Sequence, residues 1–463
     1  KRSILVTISL SIILIACGND TKTSTPPTSN TPTVEAGAEQ TVSSGAIVTL
    51  SATIVADGNP TVVWRQTSGT PTVTLSSTST ANTSFEAPNV SASESFTFEI
   101  TVNDGVNSAA VDSVTVTVTP QVSSLRPMQE ELDFISSVAN NLTQNSQGYW
   151  EADFGNGLVM IYVPKGTFTM GNDALNSSVT NSLSSSPQHS VTLDHYWISK
   201  YQITTGQFRT FVQATNHVTD VEVASSDDDG CFVYDFREQD FTPKIGYNWD
   251  NAFNDIINRH PEITIDDNHP VTCVSWNDAV AYTNQLKADY GLAFTLPSEA
   301  EWEFAARGTD GRIYPWGNEE PDGTRANYAD DSMNKYFPNL EQAVVHVGVD
   351  DGYPITSPVG SFINGQSPIG ALDMAGNVTE WVFDSMYNYT NTSKTNPIHN
   401  DTSSEVRLMK AGFWAGSAGR FGVTPNEIQD GHNIRADARQ GDSQKSADDH
   451  LGFRIAISYT PRN

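Results

Sequence analysis

Cysteine is almost missing from this chain: 463 residues carry three, Cys17, Cys231 and Cys273. A disulfide-built scaffold needs cysteine at roughly 8–10% of residues, so that class is excluded. Positive charge is also scarce. Lys and Arg total 25 against 54 Asp and Glu, a formal net charge of −29. Such a surface repels phosphate backbones and excludes nucleic acid as a partner. It suits an exported protein, and one that collects calcium. Long apolar runs are confined to Ser3–Ala16, behind Lys1-Arg2, a stretch too short to span a bilayer. Catalytic signatures are lacking too: none of the nine histidines falls in a HExxH or HxxxH pattern, and there is no Gly-rich phosphate loop or GxSxG elbow. What remains is length, enough for two or three domains with a large core in at least one.

The apolar leader ends in Leu14-Ile15-Ala16-Cys17, which resembles a bacterial lipobox. The resemblance implies cleavage before Cys17 and lipidation of its thiol and new amino group. The alternative is an ordinary signal peptide with a chance cysteine. With the lipobox, residues 1–17 are a lipoprotein signal and the only membrane contact is a lipid anchor, in the bacterial cell envelope, facing the periplasm or the cell surface. Residues 18–33, rich in Ser, Thr and Pro, read as a flexible tether. One cysteine pair is left. In an oxidising compartment Cys231 and Cys273 form a disulfide; the competing reading is two buried thiols packed as small hydrophobes.

Residues 34–120 change character. Short alternating runs (IVTLSATI, TVVWRQT, SFTFEITV, DSVTVTVT) are separated by turn signals such as Asp57-Gly58-Asn59-Pro60 and Asn103-Asp104-Gly105. Period-2 alternation of Val, Thr, Phe and Ile predicts an all-β antiparallel sandwich, with Trp64 on a central strand as its core aromatic. Through AGAEQTVSSGAIVTL, VVWRQTSG, SFEAP and FTFEITVNDG the region resembles bacterial polycystic-kidney-disease-type immunoglobulin-like repeats, which implies a spacer. Residues 121–153 read as a connector, with a short amphipathic helix placing Leu132, Ile135 and Val138 at three-residue spacing.

Residues 154–460 form one large domain. GLVMIYVPKGTFTMG and HSVTLDHYWISKYQIT each read as a hairpin strand pair. Three helices are predicted: TTGQFRTFVQAT after a Thr cap, SWNDAVAYTNQLKADYG capped by Ser275 with Asp278 three residues on, and LPSEAEWEFAARG with Ser298 and Glu301 at capping-box spacing. Beyond Arg307 the chain turns loop-rich, with many Asn, Asp and Gly residues. Long irregular stretches in a compact domain need something to order them, and bound cations are one means.

Ala371–Asp384, ALDMAGNVTEWVFD, sets Asp373 and Glu380 around a Gly376-Asn377 turn among residues that favour burial. An unpaired carboxylate there is costly, so it is either solvated at a capped turn or compensated by an Arg, by backbone N–H groups or by a hard cation. VPKGTFTMG, HPVTCVSWNDAVAY, LPSEAEWEFAARG, YPWG, RANY, SPVGSF, GALDMAGNVTEW and LGFR, in that order, resemble the formylglycine-generating enzyme (sulfatase-modifying factor) family. The resemblance implies an irregular α+β fold with little regular secondary structure, distantly similar to C-type lectins, and two calcium sites. Asn327, the Tyr328 carbonyl, Asp351 and the Tyr353 carbonyl match one site. Asp373, the carbonyls of Gly376 and Val378, and Glu380 match the other. Where the family often carries Glu, this chain has Gln202, which leaves that contribution open. Oxygen donors clustered in loops suit calcium rather than a soft metal.

Family enzymes bind copper through two cysteines and oxidise a sulfatase cysteine to formylglycine. In the matching segment, LMKAGFWAGSAGRF, Gly416 and Phe421 stand at those positions and Phe413 replaces a serine. No cysteine follows Cys273. A Cu(I) thiolate site needs soft ligands, so copper is not expected, nor is the family's oxidase reaction, and no catalytic residue is assigned. Within Gly412–His450, just before LGFR, the residues Phe413, Trp414, His432, Asp437, Arg439 and His450 read either as a ligand-binding surface or as a solvated polar loop. Arg435, Arg439 and Arg454 resemble the family's core arginines, which implies ion-pair partners. Three roles follow: a binding or accessory lipoprotein for a protein or small-molecule ligand; a divergent oxidoreductase acting on a sulfatase or another periplasmic substrate through non-cysteine ligands; or a structural envelope lipoprotein.

Overall fold

The computed structural model describes residues 30–43, 46–88, 90, 93–119, 129–173, 185–338, 345–416 and 434–462. Cys17, Phe421 and His432 lie outside these, as do the leader and most of the tether. Contacts divide the chain into two units, Lys1–Ser123 and Ser124–Asn463.

The first unit is all β. Strands Gln40–Ser43, Ala110–Thr119, Glu94–Asn103 and Thr61–Ser68 form a four-stranded sheet in that order, and Ile47–Ser51 pairs with Asn82–Glu86. Alternation fixes which face is buried: Phe96, Phe98, Ile100 and Val102 are all fully buried along one strand. Trp64 is a core aromatic, but its strand lies at the edge of the sheet rather than the centre. Its other side is taken by a loop, with the Trp64 N–H donating to the Thr78 carbonyl and Nε1 to the Thr80 carbonyl.

The second unit is α+β with few regular elements. Its helices are α1 (Gln129–Val138), α2 (Thr205–Thr215), α3 (Asn254–Arg259), α4 (Trp276–Tyr290), α5 (Glu299–Arg307) and α6 (Asp331–Tyr336). Capping boxes start three of them: Thr204 with Gln207, Ser275 with Asp278, and Ser298 with Glu301. Each such cap satisfies otherwise orphaned N–H groups and contributes about 1 kcal/mol.

The two expected hairpins are not formed as read. Val159–Val163 pairs with Tyr196–Ser199, and Gly166–Met170 with His189–Leu193. The strands form one long antiparallel ribbon, interrupted at Pro164-Lys165 and Asp194-His195, that is shared between two sheets. Pro164 has no N–H for the ladder, so it marks the break rather than a hairpin turn. The expected connector is likewise part of the domain. Asn141–Gln144 and Trp150–Asp153 extend a six-stranded sheet whose other strands are Val159–Val163, Tyr196–Ser199, Ala456–Ile457 and Phe294–Thr295. Ile135 of α1 is fully buried in the core with Trp197 and Phe294. A second sheet, in the order Gln440–Ser443, Val406–Lys410, Thr379–Ser385, Leu451–Phe453, carries the stretch that contains Glu380.

Cys231 and Cys273 form a disulfide, with Cα atoms 5.5 Å apart and 42 residues of separation. A closed loop of this length contributes roughly 3–4 kcal/mol by restricting the unfolded chain. Reductant is therefore expected to lower the thermal midpoint of the second unit by several degrees, whereas Cys273→Ser starts from the lower midpoint and does not respond. An unchanged wild-type midpoint would show that the bridge contributes nothing.

Candidate functional site

The loop leading into Thr379–Ser385 uses left-handed backbone at Asp373 (φ 57), Gly376 (φ 77) and Asn377 (φ 66). At Gly376 a side chain is also excluded by space, because a Cβ would lie 2.0 Å from the Asn327 carbonyl oxygen. That approach lets the Asn377 N–H donate to the same oxygen at 2.8 Å, while the Gly376 N–H donates to Ala411. The Asn377 side chain is then fixed. Its Oδ1 accepts from the Ser357 N–H at 2.9 Å, and its Nδ2 donates to the Ser357 carbonyl at 3.2 Å and to Gln202 Oε1 at 3.0 Å.

On one side of this loop lies an oxygen cluster. Asp351 is buried, its Oδ1 accepting from the Tyr353 N–H at 2.8 Å and its Oδ2 from the Tyr328 N–H at 3.4 Å. Asp330, the N-cap of α6, is fully buried and accepts from the Asp351 N–H. The Ser332 hydroxyl lies within hydrogen-bond reach of both carboxylates and of the Tyr353 carbonyl, and its single proton serves one of them at a time. Burial, followed by the adjacent charge of Asp330, pushes the Asp351 carboxyl up to about 8. Asn327 Nδ2 donates to the Ile355 carbonyl, whereas its buried Oδ1 has no hydrogen-bond partner among the described residues. Asp351 meets Asp330 and accepts from the Tyr328 N–H, and the orphaned amide oxygen belongs to the residue preceding Tyr328, Asn327; oxygen donors of this kind fit a hard cation.

The second set has a different character. Glu380 is fully buried and faces Arg454, whose Nε lies 2.6 Å from Oε2 and whose Nη2 lies 2.8 Å from Oε1. Trp302 Nε1 donates to Oε2 at 2.7 Å. The carbonyls of Asp373, Gly376 and Val378 and the Glu380 Oε1 all point at Gln202 Nε2, at 3.1, 3.4, 3.1 and 3.0 Å. The Asp373 carboxylate does not join them. It accepts from the Gly360 N–H at 2.7 Å, and burial raises it to about 6. At the set Asp373, Gly376, Val378 and Glu380, read in the sequence as a second calcium site, the Glu380 charge is met by Arg454 and the three carbonyls by the Gln202 amide.

The segment expected to bind ligand is also turned inward where it is described. Trp414 and Arg439 are fully buried, and Asp437 is 2.9 Å from Arg435. Arg439 pairs with Glu299, itself hydrogen-bonded by Tyr389, as befits an internal ion pair. Phe413 stacks on His450 with ring centroids 4.1 Å apart, and Phe241 closes on the same imidazole at 5.0 Å. Burial disfavours the charged imidazole, but the hydrogen bond with Asp449 and the charge of Asp448 outweigh it and raise the His450 pKa. Phe413, Trp414, Asp437, Arg439 and His450 therefore pack or pair internally: the rings gain by leaving water, and each buried charge is met by an opposite one that offsets its desolvation. Gly416 is buried beside them. Among the described residues, a cavity of about 500 Å³ lies between His189, Tyr387, Tyr389, Lys394 and His399.

A family described as the sulfatase-modifying factor enzyme 1-like domain matches residues 152–459, well over half of the chain. The chain belongs to this family. Residues 36–118 match a second family, described as a PKD domain. The chain is similar to the mouse formylglycine-generating enzyme, 31% identical over 325 residues that cover 65% of this chain and 76% of the enzyme. It is 32% identical over 308 residues to the formylglycine-generating enzyme of Streptomyces coelicolor, covering 64% of this chain and 88% of that one. The mouse protein named inactive C-alpha-formylglycine-generating enzyme 2 is 30% identical over 315 residues, 65% of this chain and 85% of the relative. Among solved structures, PvdO from Pseudomonas aeruginosa aligns with 69% of this chain and 98% of its own, at 24% identity and a TM-score of 0.45.

Within this family domain motif reading missed Asp330, and it read Asn377 as a turn residue and Trp302 as core without their side-chain partners. Asp330 carried a signal, an Asp two residues before Ser332 at a helix start. The partners of Asn377 and Trp302 carried none, since they lie 175 and 78 residues away.

Proposed function

We propose that this chain is a lipid-anchored envelope protein whose sulfatase-modifying-factor-like domain binds a partner or small ligand and does not perform thiol-dependent oxidation. The observation that carries the reading is the state of its sulfur. Cys231 and Cys273 are tied to each other, and the remaining cysteine is Cys17 in the leader. A buried aromatic stack, Phe413 on His450, stands beside the glycine that replaces a thiol ligand. A soft copper ion has no thiolate here. The similarity to a relative named as inactive supports the same reading.

In this proposal one calcium braces the domain at Asn327, Tyr328, Asp351 and Tyr353. The ion would supply charge neutralisation to Asp351 and Asp330 and a partner to Asn327 Oδ1, with no part in chemistry. The cavity lined by Tyr387, Tyr389, His189 and His399 offers a place for a small ligand. The test is direct: purified protein, loaded with copper, is incubated under oxygen with a peptide containing CxPxR, and the product is weighed by mass spectrometry. No loss of the thiol is expected. Conversion at enzymatic rates would instead establish the divergent oxidoreductase.

A further inference from the structure

We infer that Gln202 stands in place of a cation at Glu380, so that this domain holds its second oxygen cluster together without metal. Three contacts dictate the inference in sequence. Asn377 cannot turn over, because its Oδ1 is held by the Ser357 N–H and its Nδ2 by the Ser357 carbonyl. Its Nδ2 therefore also faces Gln202, and the Gln202 group that meets it at 3.0 Å is an acceptor, Oε1. The opposite end of the same amide, Nε2, is then directed at the carbonyls of Asp373, Gly376 and Val378 and at Glu380 Oε1. A rotated amide would set two NH2 groups face to face at Asn377 and turn an acceptor toward the three carbonyls and Glu380 Oε1.

An N–H donor aimed into an oxygen cluster presents the positive end of its dipole to a cation and fills the space the ion would take, whereas a carboxylate would attract the ion with a full charge. The two N–H groups of Gln202 are shared among four acceptors at 3.0–3.4 Å, so the cluster is satisfied by divided hydrogen bonds. The negative charge is handled separately, by the two-point contact of Arg454 with Glu380. Gln202 and Glu380 are both buried, 1% and 0% exposed, so water cannot replace either partner. Gln202→Glu exchanges the inward N–H for a carboxylate oxygen of the same size and turns the cluster into an acceptor-only cage. That cage calls for a hard cation.

The experiment counts metal. Purified full-length protein is stripped with chelator, titrated with calcium by calorimetry, and its calcium content measured after gel filtration. Gln202→Glu is expected to bind one more equivalent than wild type, and its thermal midpoint to become more dependent on calcium. The difference of one equivalent is the readout, so it holds whether wild type binds one calcium or none. A wild type without calcium would sink the proposed brace at Asp351 but not this inference. Wild type binding a second equivalent that Asp351→Asn retains and Glu380→Gln loses would overturn it. So would a folded Gln202→Glu protein that gains no calcium. If that variant fails to fold, the wild-type count with Asp351→Asn still decides.

Discussion

Arg454→Met is expected to destabilise the second unit by about 3–5 kcal/mol, the typical cost of leaving a buried charge without its partner. Glu380 and Arg454 are both fully buried, and their side chains meet through two hydrogen bonds. The same guanidinium donates to the Ser199 and Leu372 carbonyls at 3.0 and 2.9 Å, so it ties one sheet to the loop before the other. Met keeps much of the stem's volume but supplies none of the donors. The double variant Glu380→Gln, Arg454→Met removes the orphaned charge and is expected to recover part of the loss, a coupling of about 0.5–3 kcal/mol. Urea unfolding of the four proteins in the cycle measures it. The exposed pair Arg65–Glu99 of the first unit, with Arg65 66% exposed, is the control, where truncation costs less than about 1 kcal/mol. Equal losses at the two sites would mean that the buried pair is not the brace described.

Chelation is expected to have the next largest effect, and it follows from the proposed calcium at the first cluster. A ligand present at a hundred times its dissociation constant stabilises the folded state by about 2.7 kcal/mol. Removing it leaves Asp351 facing Asp330 with Asn327 Oδ1 unpartnered. The expected result is a melting temperature that falls on addition of EDTA and recovers with excess calcium. Asp351→Asn separates a cation site from a merely polar one. In calcium the variant is less stable than wild type, because a charged ligand is lost; in chelator it is the more stable of the two, because the cost of burying that carboxylate, and of its charge beside Asp330, is gone. If the ranking of the two proteins is the same in both buffers, no cation is bound there.

Much of this was open to reading from the residues alone. The capped helices α2, α4 and α5 follow from Thr204, Ser275 and Ser298 and the side chain three positions on, since a cap is satisfied within one turn. The sandwich follows from alternation in strands such as Glu94–Asn103, where burial depends only on which face a side chain takes. The order of motifs from VPKGTFTMG to LGFR was enough to name the family for residues 154–460, and the family match spans 152–459. That no cysteine follows Cys273 was equally plain. Errors arose where pairing was chosen among strands of similar character. Four strands between Val159 and Ser199 could be joined as two hairpins or as one broken ribbon, and the choice rests on contacts from Ala456–Ile457 and Trp150–Asp153 that no local pattern reveals.

The stretch Ala371–Asp384 shows the same division. Its residues by themselves established that Asp373 and Glu380 sit in apolar company and that any burial of their charge requires compensation, because desolvating a carboxylate is costly whatever the fold. They did not establish what compensates. Tertiary structure alone decided that Arg454 lies against Glu380, that Asp373 turns its carboxylate to Gly360, and that the amide of Gln202 arrives from more than 170 residues away with its N–H groups foremost. The reason is that a side chain's chemical need is local, whereas the partner that meets it is set by how distant segments pack, and a single amide's orientation then separates a cation site from a hydrogen-bonded one.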